Sequence, residues 1–407
     1  MYHIPHQLSG NCTKLFFNDY YMKEITKDTK FIIGINFGNE ETSAAFYSIS
    51  SEEIKDLDIL PGQKVVKSAV AILEQEGKET ICIGDAAIEN VPLAKDFQIA
   101  FKKRPSEMNK TERNRMVTFM KGVYAEILNI HPDYKTRQHV VYIARPSQGE
   151  LWQSAEEAYL KIAVDAGLPI AGIIKKSFAS CFYAMTCPDS VIGAQTGKDG
   201  VLIVDFDSST IDFTYIKGKL SSRIEAGYSL GASEVENTLL KYAMDNPSDR
   251  YMSEFVKLYG NDEKSIPYNT MLYLFREAKE RFYENKLPMF CVSFGYGLLT
   301  SMEINGFSSI TIPKEKIFEI LEPYRNKVRD VLISFIARYL ITSKVYHVHI
   351  IGEGAKLNFV RQIFMEVFYL DRAHCTLDDT PYSSISISIS RGIVKYACYS
   401  FTLQNEL

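Results

Sequence analysis

Two short segments of the chain are similar to each other and carry residues that could bind phosphate. Residues 31–46 read FIIGINFGNEETSAAF, and residues 200–216 read GVLIVDFDSSTIDFTYI. Each has an apolar run, then Asn36 or Asp205, a Phe, a short polar turn and a second apolar run, which is typical of a β-hairpin. We expect the two turns to face each other across a cleft. Backbone N–H groups in such turns can bind the oxygens of a phosphate chain.

The composition bounds the kind of protein. A chain of 407 residues is too long for one typical core, so we expect two lobes. The net charge of -4 does not favour a nucleic-acid partner. The seven cysteines are scattered and form no C-x-x-C pair, which is typical of reduced thiols in a cytoplasmic protein. A signal peptide is not indicated, because the chain does not open with a basic segment followed by an apolar run. A membrane span is not indicated either, because the longest apolar stretch, residues 331–341, is too short. We therefore expect no membrane partner.

Hydrophobic periodicity predicts strands that alternate with helices in both halves of the chain, which is typical of an α/β fold. Besides the two hairpins, strands are predicted at residues 64–73, 79–83, 139–144, 170–174, 289–294, 302–304 and 345–351. Helices are predicted at residues 110–129, 150–166, 178–185, 232–244, 270–285, 314–342, 356–368 and 391–399. The Gly- and Asp-containing stretch at residues 187–200 is interpreted as the connection between the halves.

Seven short motifs follow one another in a recognisable order. They are GINFG at residues 34–38, IGDAA at 83–87, ARP with AGL and II at 144–174, VDFDSSTID at 204–212, LGA at 230–232, AK at 278–279 and IGEGAK at 351–356. Together they resemble the nucleotide-binding domain of Hsp70 chaperones, in the actin-like ATPase superfamily. The resemblance covers residues 31 to about 400. It implies a duplicated, ribonuclease H-like fold with two lobes, each built on a mixed five-stranded sheet flanked by helices.

The resemblance also implies a domain organisation. Residues 31–198 together with 384–407 would form lobe I, with a subdomain at about 58–135. Residues 199–383 would form lobe II, with a subdomain at about 236–312, and residues 1–30 an N-terminal extension. No segment resembles the β-rich substrate-binding domain of Hsp70, so we expect that the chain does not hold unfolded peptide as a complete Hsp70 does.

The resemblance implies ATP or ADP between the lobes, with Mg²⁺ beside the phosphates. Asp205 would hold metal-bound water, and Thr210 would contact the γ-phosphate. Lys176 stands where the family has a Glu, and it would either bind a phosphate or point to solvent. The other implied nucleotide contacts are Gly34, Asn36, Gly38, Asn39, Asp207, Ser208, Ser209, Gly231, Arg276, Lys279, Gly352, Gly354 and Lys356. Arg276 and Lys279 would reach the ribose, or would only form ion pairs along their own helix.

Several positions depart from the family pattern. Asn36 replaces an Asp and lacks the negative charge that Mg²⁺ prefers. Ile88 replaces the Lys that orients the attacking water. Glu40 and Glu41 replace small hydroxyl residues, and a carboxylate about 5 Å from a phosphate would cost about 3 kcal/mol at an effective dielectric of about 20. That penalty disappears if both glutamates point outward or if a cation bridges them, so their direction and their partners decide what the turn can bind.

Three hypotheses follow from these residues. The favoured one is a pseudo-ATPase that binds ATP or ADP with weak or absent hydrolysis and has a chaperone-related regulatory role, with a co-chaperone or another protein as partner. The second is an active ATPase in which Lys176, with Glu40 or Asp207, replaces the missing catalytic groups. The third is an interaction protein that binds no nucleotide because side chains close the cleft. A sugar kinase of the same superfamily fits the motifs less well.

Overall fold

The computed structural model of the protein describes residues 25–26, 28–99, 101, 108–136, 138–146, 155–186, 200–217, 223–248, 250–294, 308–377 and 384–405. In these residues the chain is an α/β protein with mixed sheets flanked by helices. We call residues 28–186 together with the C-terminal helix the first half, and residues 200–377 the second half.

The strands, in chain order, are β1 (Phe31–Phe37), β2 (Glu41–Ser48), β3 (Glu53–Leu57), β4 (Val65–Lys67), β5 (Ala69–Gln75), β6 (Lys78–Ile83), β7 (Ala94–Ile99), β8 (His139–Arg145), β9 (Ile170–Lys175), β10 (Val201–Phe206), β11 (Ile211–Ile216), β12 (Ile224–Tyr228), β13 (Met289–Phe294), β14 (Ser308–Pro313), β15 (His347–Ile351) and β16 (Cys375–Leu377). The helices are α1 (Asp85–Glu89), α2 (Lys110–Ile130), α3 (Glu156–Asp165), α4 (Lys176–Thr186), α5 (Ser233–Asp245), α6 (Arg250–Tyr259), α7 (Ile266–Glu284), α8 (Lys314–Tyr339), α9 (Asn358–Phe368) and α10 (Ser384–Asn405).

The two large sheets have the same strand order and directions. The first runs β3-β2-β1-β8-β9, with β4 also paired to β2, and the second runs β12-β11-β10-β15-β16. In each, the central strand is antiparallel to its hairpin partner and parallel to the strand on its other side. Both predicted hairpins are confirmed, and the central strands end at the matched residues Phe37 and Phe206.

Each sheet buries one face against its own helices. In the first half, β1 and β8 pack against α2. The apolar side chains Phe119, Met120 and Val123 lie on one face of this predicted helix and are buried in the contact. In the second half, β10 and β11 pack against α8 and α9, and Phe213 stacks on Phe335 with ring centroids 4.5 Å apart. The central strands β1 and β10 are buried along almost their whole length, which fixes the turns at their ends.

Two apolar contacts join the halves. Cys181 and Phe182 of α4 belong to one buried cluster with Val201 and Ile203 of β10. Elsewhere, the three-stranded sheet β6-β5-β7 and α1 pack against Tyr273 of α7. Burial of apolar surface at these two separate places stabilises the contact between the halves.

Several elements differ from the sequence-based predictions. Helices α1 and α6 and strands β3, β7, β12, β14 and β16 were not predicted. The strand expected at residues 64–73 is interrupted at Ser68, whose N–H donates to the Glu40 carbonyl instead of a neighbouring strand. Of the two alternatives for residues 314–342, one long helix or a pair, the structure has one helix, α8, with Pro323 inside it. The predictions for residues 1–24, 150–154, 187–199 and 302–304 lie outside the described residues.

Among the residues described, no helix combines the length and the apolarity that a membrane crossing requires.

Candidate functional site

The second turn, residues 207–210 between β10 and β11, is joined to the first half by an ion pair. Lys176, the first residue of α4, places its Nζ 2.7 Å from Oδ2 of Asp207. The other carboxylate oxygen of Asp207 accepts from the Ser208 N–H at 2.9 Å. The Lys176 side chain is 6% exposed, so the alternative that it points to solvent is wrong.

Asp205, which the resemblance assigns to metal-bound water, lies near the same ammonium group. Burial alone would lower the pKa of Lys176, but the carboxylates of Asp207 and Asp205 raise it above its usual value. The two carboxylates therefore share a cation that the chain itself supplies. Within the described part of the chain, no group of three or more His, Cys, Asp or Glu could hold a metal ion. The positive charge of Lys176 beside these two carboxylates works against the Mg²⁺ that the resemblance implies.

The other polar groups of the second turn are bonded within the second half. The Thr210 hydroxyl donates to Oδ2 of Asp212 at 3.2 Å. The Ser208 carbonyl accepts from the N–H of Ser233 at 2.8 Å and from its hydroxyl at 2.5 Å. A Cβ on Gly231 would lie 2.1 Å from that carbonyl oxygen, so only glycine fits. These contacts fasten the turn to the start of α5.

The first turn, residues 38–40 between β1 and β2, is held by Ser68. The Ser68 N–H donates to the Glu40 carbonyl at 2.7 Å, and the Ser68 hydroxyl donates to the Gly38 carbonyl at 2.7 Å. The Thr42 hydroxyl lies 2.9 Å from the Ser68 hydroxyl. The backbone of the turn is therefore fixed by contacts that do not involve the Glu40 carboxylate.

The Glu40 side chain points inward, toward the second half. Its Oε1 lies 3.5 Å from Nε of Arg276 and 3.7 Å from Nζ of Lys279. Both cations also contact Glu236 of α5, at 3.5 Å from Arg276 and 2.8 Å from Lys279. Each of these four side chains is at most 7% exposed. The ion pairs of Arg276 and Lys279 thus reach other elements of the fold, and the alternative of ion pairs only along their own helix is wrong.

We call Glu40, Glu236, Glu353, Arg276 and Lys279 the central ion cluster. Burial, followed by the carboxylate of Glu40, raises the pKa of Glu353 well above its usual range. Buried charges are tolerated only when they are paired. The ion pairs of the central ion cluster are all formed by groups of the chain itself, although Oε1 of Glu236 and Nε of Arg276 have no hydrogen-bond partner among the described residues.

A second set of polar contacts joins the halves next to this cluster. Lys67 of β4 places its Nζ 2.6 Å from the Tyr273 hydroxyl and 2.9 Å from Oε1 of Glu277. A cavity of about 30 Å³ remains there, lined in part by Glu40 and Arg276. That volume holds about one or two water molecules, whereas small-molecule pockets measure roughly 300–1,000 Å³.

Two titratable groups near the first turn have raised pKa values. Burial, followed by the charge of Glu40, raises the pKa of Glu280 to about 7. Burial lowers the pKa of Lys356, but the nearby Glu280 and Glu41 carboxylates more than offset this and raise it. Lys356 also lies 3.9 Å from Oε1 of Glu284. Lys356, an expected nucleotide contact, is therefore surrounded by carboxylates.

Three of the expected glycine contacts pack tightly against the chain. A Cβ on Gly34 would lie 2.7 Å from Cγ2 of Val394, because β1 is crossed there by α10. Gly352 has a φ of +86°, and its Cβ would lie 2.5 Å from the Phe206 carbonyl oxygen. A Cβ on Gly354 would lie 2.3 Å from the Phe206 ring. Packing within the fold explains why these positions are glycine.

The remaining expected contacts lie in or beside the two turns. Asn36 is buried and pairs in register with Ser43, as Asp205 pairs with Asp212. Asn39 is 5% exposed, and neither polar atom of its amide finds a hydrogen-bond partner among the described residues. Ser209 is half-buried.

Sequence reasoning missed three charged residues at or beside the contact between the halves. Glu236 interrupts the apolar face of α5, and a carboxylate within such a face is the signal that could have indicated a buried ion pair. Glu353 stands between two glycines of a motif that the sequence did single out. Lys67 carries no such signal, because its partner Tyr273 lies 206 positions further along the chain.

The chain was compared with known proteins. No protein-family model matches it, and no curated protein is significantly similar to it in sequence.

Proposed function

We propose that this chain is an Hsp70-like domain of the actin-like ATPase type in which ion pairs have taken the place of nucleotide, and that it acts as a partner-binding module. This is the third of the hypotheses formed from the sequence. Its halves would be the two lobes of the family, held closed by the chain's own side chains. Its binding to partners would then not depend on ATP.

The strand arrangement supports the fold assignment. Both large sheets have the same strand order, and both central strands end at a Phe followed by a polar turn. Equal order and direction in two sheets of one chain is what a duplicated pair of lobes requires. The motif order found in the sequence agrees with this arrangement.

The inward direction of Glu40 is the single observation that carries the functional proposal. A phosphate in the cleft would meet the Glu40 carboxylate, and the cations 3.5 and 3.7 Å from that carboxylate, Arg276 and Lys279, are already paired with Glu40 and Glu236. Where no further cation offsets the repulsion, two negative groups within about 5 Å repel by about 3 kcal/mol at an effective dielectric of about 20, or about a hundredfold in affinity. The ammonium of Lys176, near Asp205 and Asp207, opposes a divalent metal in the same way.

A second candidate function is the weak binding of ATP or ADP without turnover. The buried Asn39 amide, which lacks a hydrogen-bond partner among the described residues, favours it, because buried polar groups are normally satisfied. A nucleotide could supply those partners only after the halves separate, since the cavity beside Glu40 measures about 30 Å³.

Thermal unfolding with nucleotide tests the proposal. A ligand that binds only the folded state at about 100 times its Kd stabilises it by about 2.7 kcal/mol. We expect no rise in unfolding midpoint with Mg-ATP or Mg-ADP at about 1 mM, and no phosphate release above that of buffer.

A clear rise in the midpoint that the variant Asp205→Asn abolishes would contradict the proposal and favour weak nucleotide binding. Phosphate release that the same variant abolishes would favour the active ATPase.

A further inference from the structure

Helix α7 presents two buried cations at the contact between the halves. Arg276 and Lys279 stand three positions apart on one face, and their side chains are 7% and 5% exposed. Guanidinium and ammonium groups held together in this way are the usual receptor for an oxyanion. In this chain the negative partners are carboxylates of other elements.

The two carboxylates do not contact these cations equally. Glu236 reaches Lys279 at 2.8 Å, a normal length for a charge-assisted hydrogen bond. The contacts of Glu40 with Arg276 and Lys279 are longer, at 3.5 and 3.7 Å. Glu236 is thus the tightly bonded partner, and Glu40 occupies the remaining side of the cation pair.

The backbone that carries Glu40 does not depend on its carboxylate. Ser68 fixes the turn through hydrogen bonds to the carbonyls of Glu40 and Gly38. The cavity of about 30 Å³ also adjoins both Glu40 and Arg276. Shortening the Glu40 side chain therefore enlarges an existing cavity next to a cation and leaves the turn in place.

We propose that Glu40 is the resident occupant of an oxyanion site formed by Arg276 and Lys279, and that removing its carboxylate lets the site bind inorganic phosphate or pyrophosphate. This inference rests on the proposed function, because it explains how the chain itself fills the site. The native chain is indifferent to phosphate compounds as long as this carboxylate stays in place.

One neighbour can replace Glu40 and must be removed with it. Glu353 borders the same cations, and the charge of Glu40 is one reason that it favours the neutral form. When Glu40 is removed, Glu353 remains as an acidic side chain near the same cations and can take its place as their partner. The full effect therefore requires the double variant Glu40→Ala with Glu353→Gln, which removes both carboxylates and leaves Glu236 in place.

The test is calorimetric titration with pyrophosphate and with inorganic phosphate. We expect the double variant to bind pyrophosphate at least about tenfold more tightly than the wild type, with Glu40→Ala alone in between. Glu277→Gln is the matched control, because it removes a carboxylate of the same helix that pairs with Lys67 at 2.9 Å. This variant should bind pyrophosphate as weakly as the wild type. Adding Arg276→Met to the double variant should abolish the gain.

A double variant that unfolds cooperatively yet binds pyrophosphate no better than the wild type would overturn the inference, as would a gain that persists with Arg276→Met. If the double variant does not fold, Glu40→Gln is tested instead by its unfolding midpoint. Pyrophosphate should raise that midpoint more than it raises the wild-type midpoint, and equal rises would overturn the inference. Binding of ATP by the wild type would instead contradict the proposed function, so the two failures are distinguishable.

Discussion

The two turns connect the halves in opposite directions and with different strength. In the second turn, Asp207 reaches back to Lys176 of the first half at 2.7 Å. In the first turn, Glu40 reaches forward to Arg276 and Lys279 of the second half, at 3.5 and 3.7 Å. Each turn therefore places a carboxylate against a buried cation of the other half.

The difference between the turns lies in the length of their contacts. Lys176 and Asp207 form a short pair at 2.7 Å, and the carboxylate of Asp205 lies near the same ammonium group, so the loss of Lys176 leaves both carboxylates without their shared cation. Glu40 lies farther from its two cations, and Glu236 also contacts them, at 2.8 Å from Lys279. We infer that the second turn is a rigid attachment, whereas the first turn is an adjustable one. The predictions below test this contrast.

The largest effect is expected at Lys176. Removing one partner of a buried ion pair typically costs about 3–5 kcal/mol, because the other charge remains buried. We expect Lys176→Met to lower the free energy of unfolding by about that amount, measured by denaturant titration.

Its neighbour Lys175 provides the control for this prediction. Lys175 pairs with Glu225 at 2.9 Å but is 37% exposed, so Lys175→Met should cost less than about 1 kcal/mol. Equal losses in the two variants would show that burial does not govern the second-turn attachment.

The first turn should make stability depend on pH. Glu280 has a folded pKa of about 7 against an ordinary value of 4.5, through burial and then the charge of Glu40. A carboxyl group with a raised folded pKa stabilises the fold below its unfolded pKa, and that stabilisation is lost as the pH rises through the folded value. Between about pH 5.5 and pH 8 we expect Glu280 to account for a loss of about 2 kcal/mol.

The variant Glu280→Gln should remove this part of the pH dependence, as followed by denaturant unfolding at both pH values. An unchanged difference between the two pH values in the variant would show that Glu280 does not titrate in that window.

Loss of the Glu40 carboxylate should cost less than loss of the Lys176 ammonium. Because Glu40 lies 3.5 and 3.7 Å from its cations and Glu236 remains in contact with them, we expect Glu40→Gln to lower the free energy of unfolding by about 1–2 kcal/mol. Asp207→Asn is the matched change in the second turn, and it should be the more damaging of the two. A larger loss of stability in Glu40→Gln than in Asp207→Asn, measured by denaturant titration, would show that the first turn is the stronger attachment and would contradict this account.

The smallest effect is expected at Lys67. Its side chain is 35% exposed, although it contacts the Tyr273 hydroxyl at 2.6 Å and Glu277 at 2.9 Å. Partly exposed ion pairs contribute about 1 kcal/mol or less. Lys67→Met should therefore shift the unfolding midpoint only slightly, and the shift should shrink in high salt. A loss as large as that of Lys176→Met would place the main attachment outside the two turns.

Local sequence patterns predicted the elements with a continuous apolar run, such as strands β1 and β10, and those with a regular apolar face, such as helix α2. Strand β3 was missed because it carries exposed Glu53 and Lys55 on a sheet edge, which gives no apolar alternation. Helix α6 was missed because it is short, although Met252 and Phe255 bury one face of it.

The site was predictable only as a set of positions. The sequence singled out Glu40, Arg276, Lys279 and Lys176, but it could not indicate which way their side chains point. That direction depends on groups far away in sequence, such as Glu236 for Lys279 and Asp207 for Lys176. The sequence of a turn does not indicate whether its carboxylate faces water or a buried cation.

Hydrogen exchange with and without nucleotide tests most directly the claim that the chain closes its own cleft. The relevant segments are the two turns with their flanking strands, residues 34–44 and 203–213, and helix α7. We predict that their amide hydrogens are strongly protected in the absence of nucleotide and that saturating Mg-ATP leaves their exchange rates unchanged. Fast exchange in these segments that Mg-ATP slows would show that nucleotide closes the halves, and it would contradict the account.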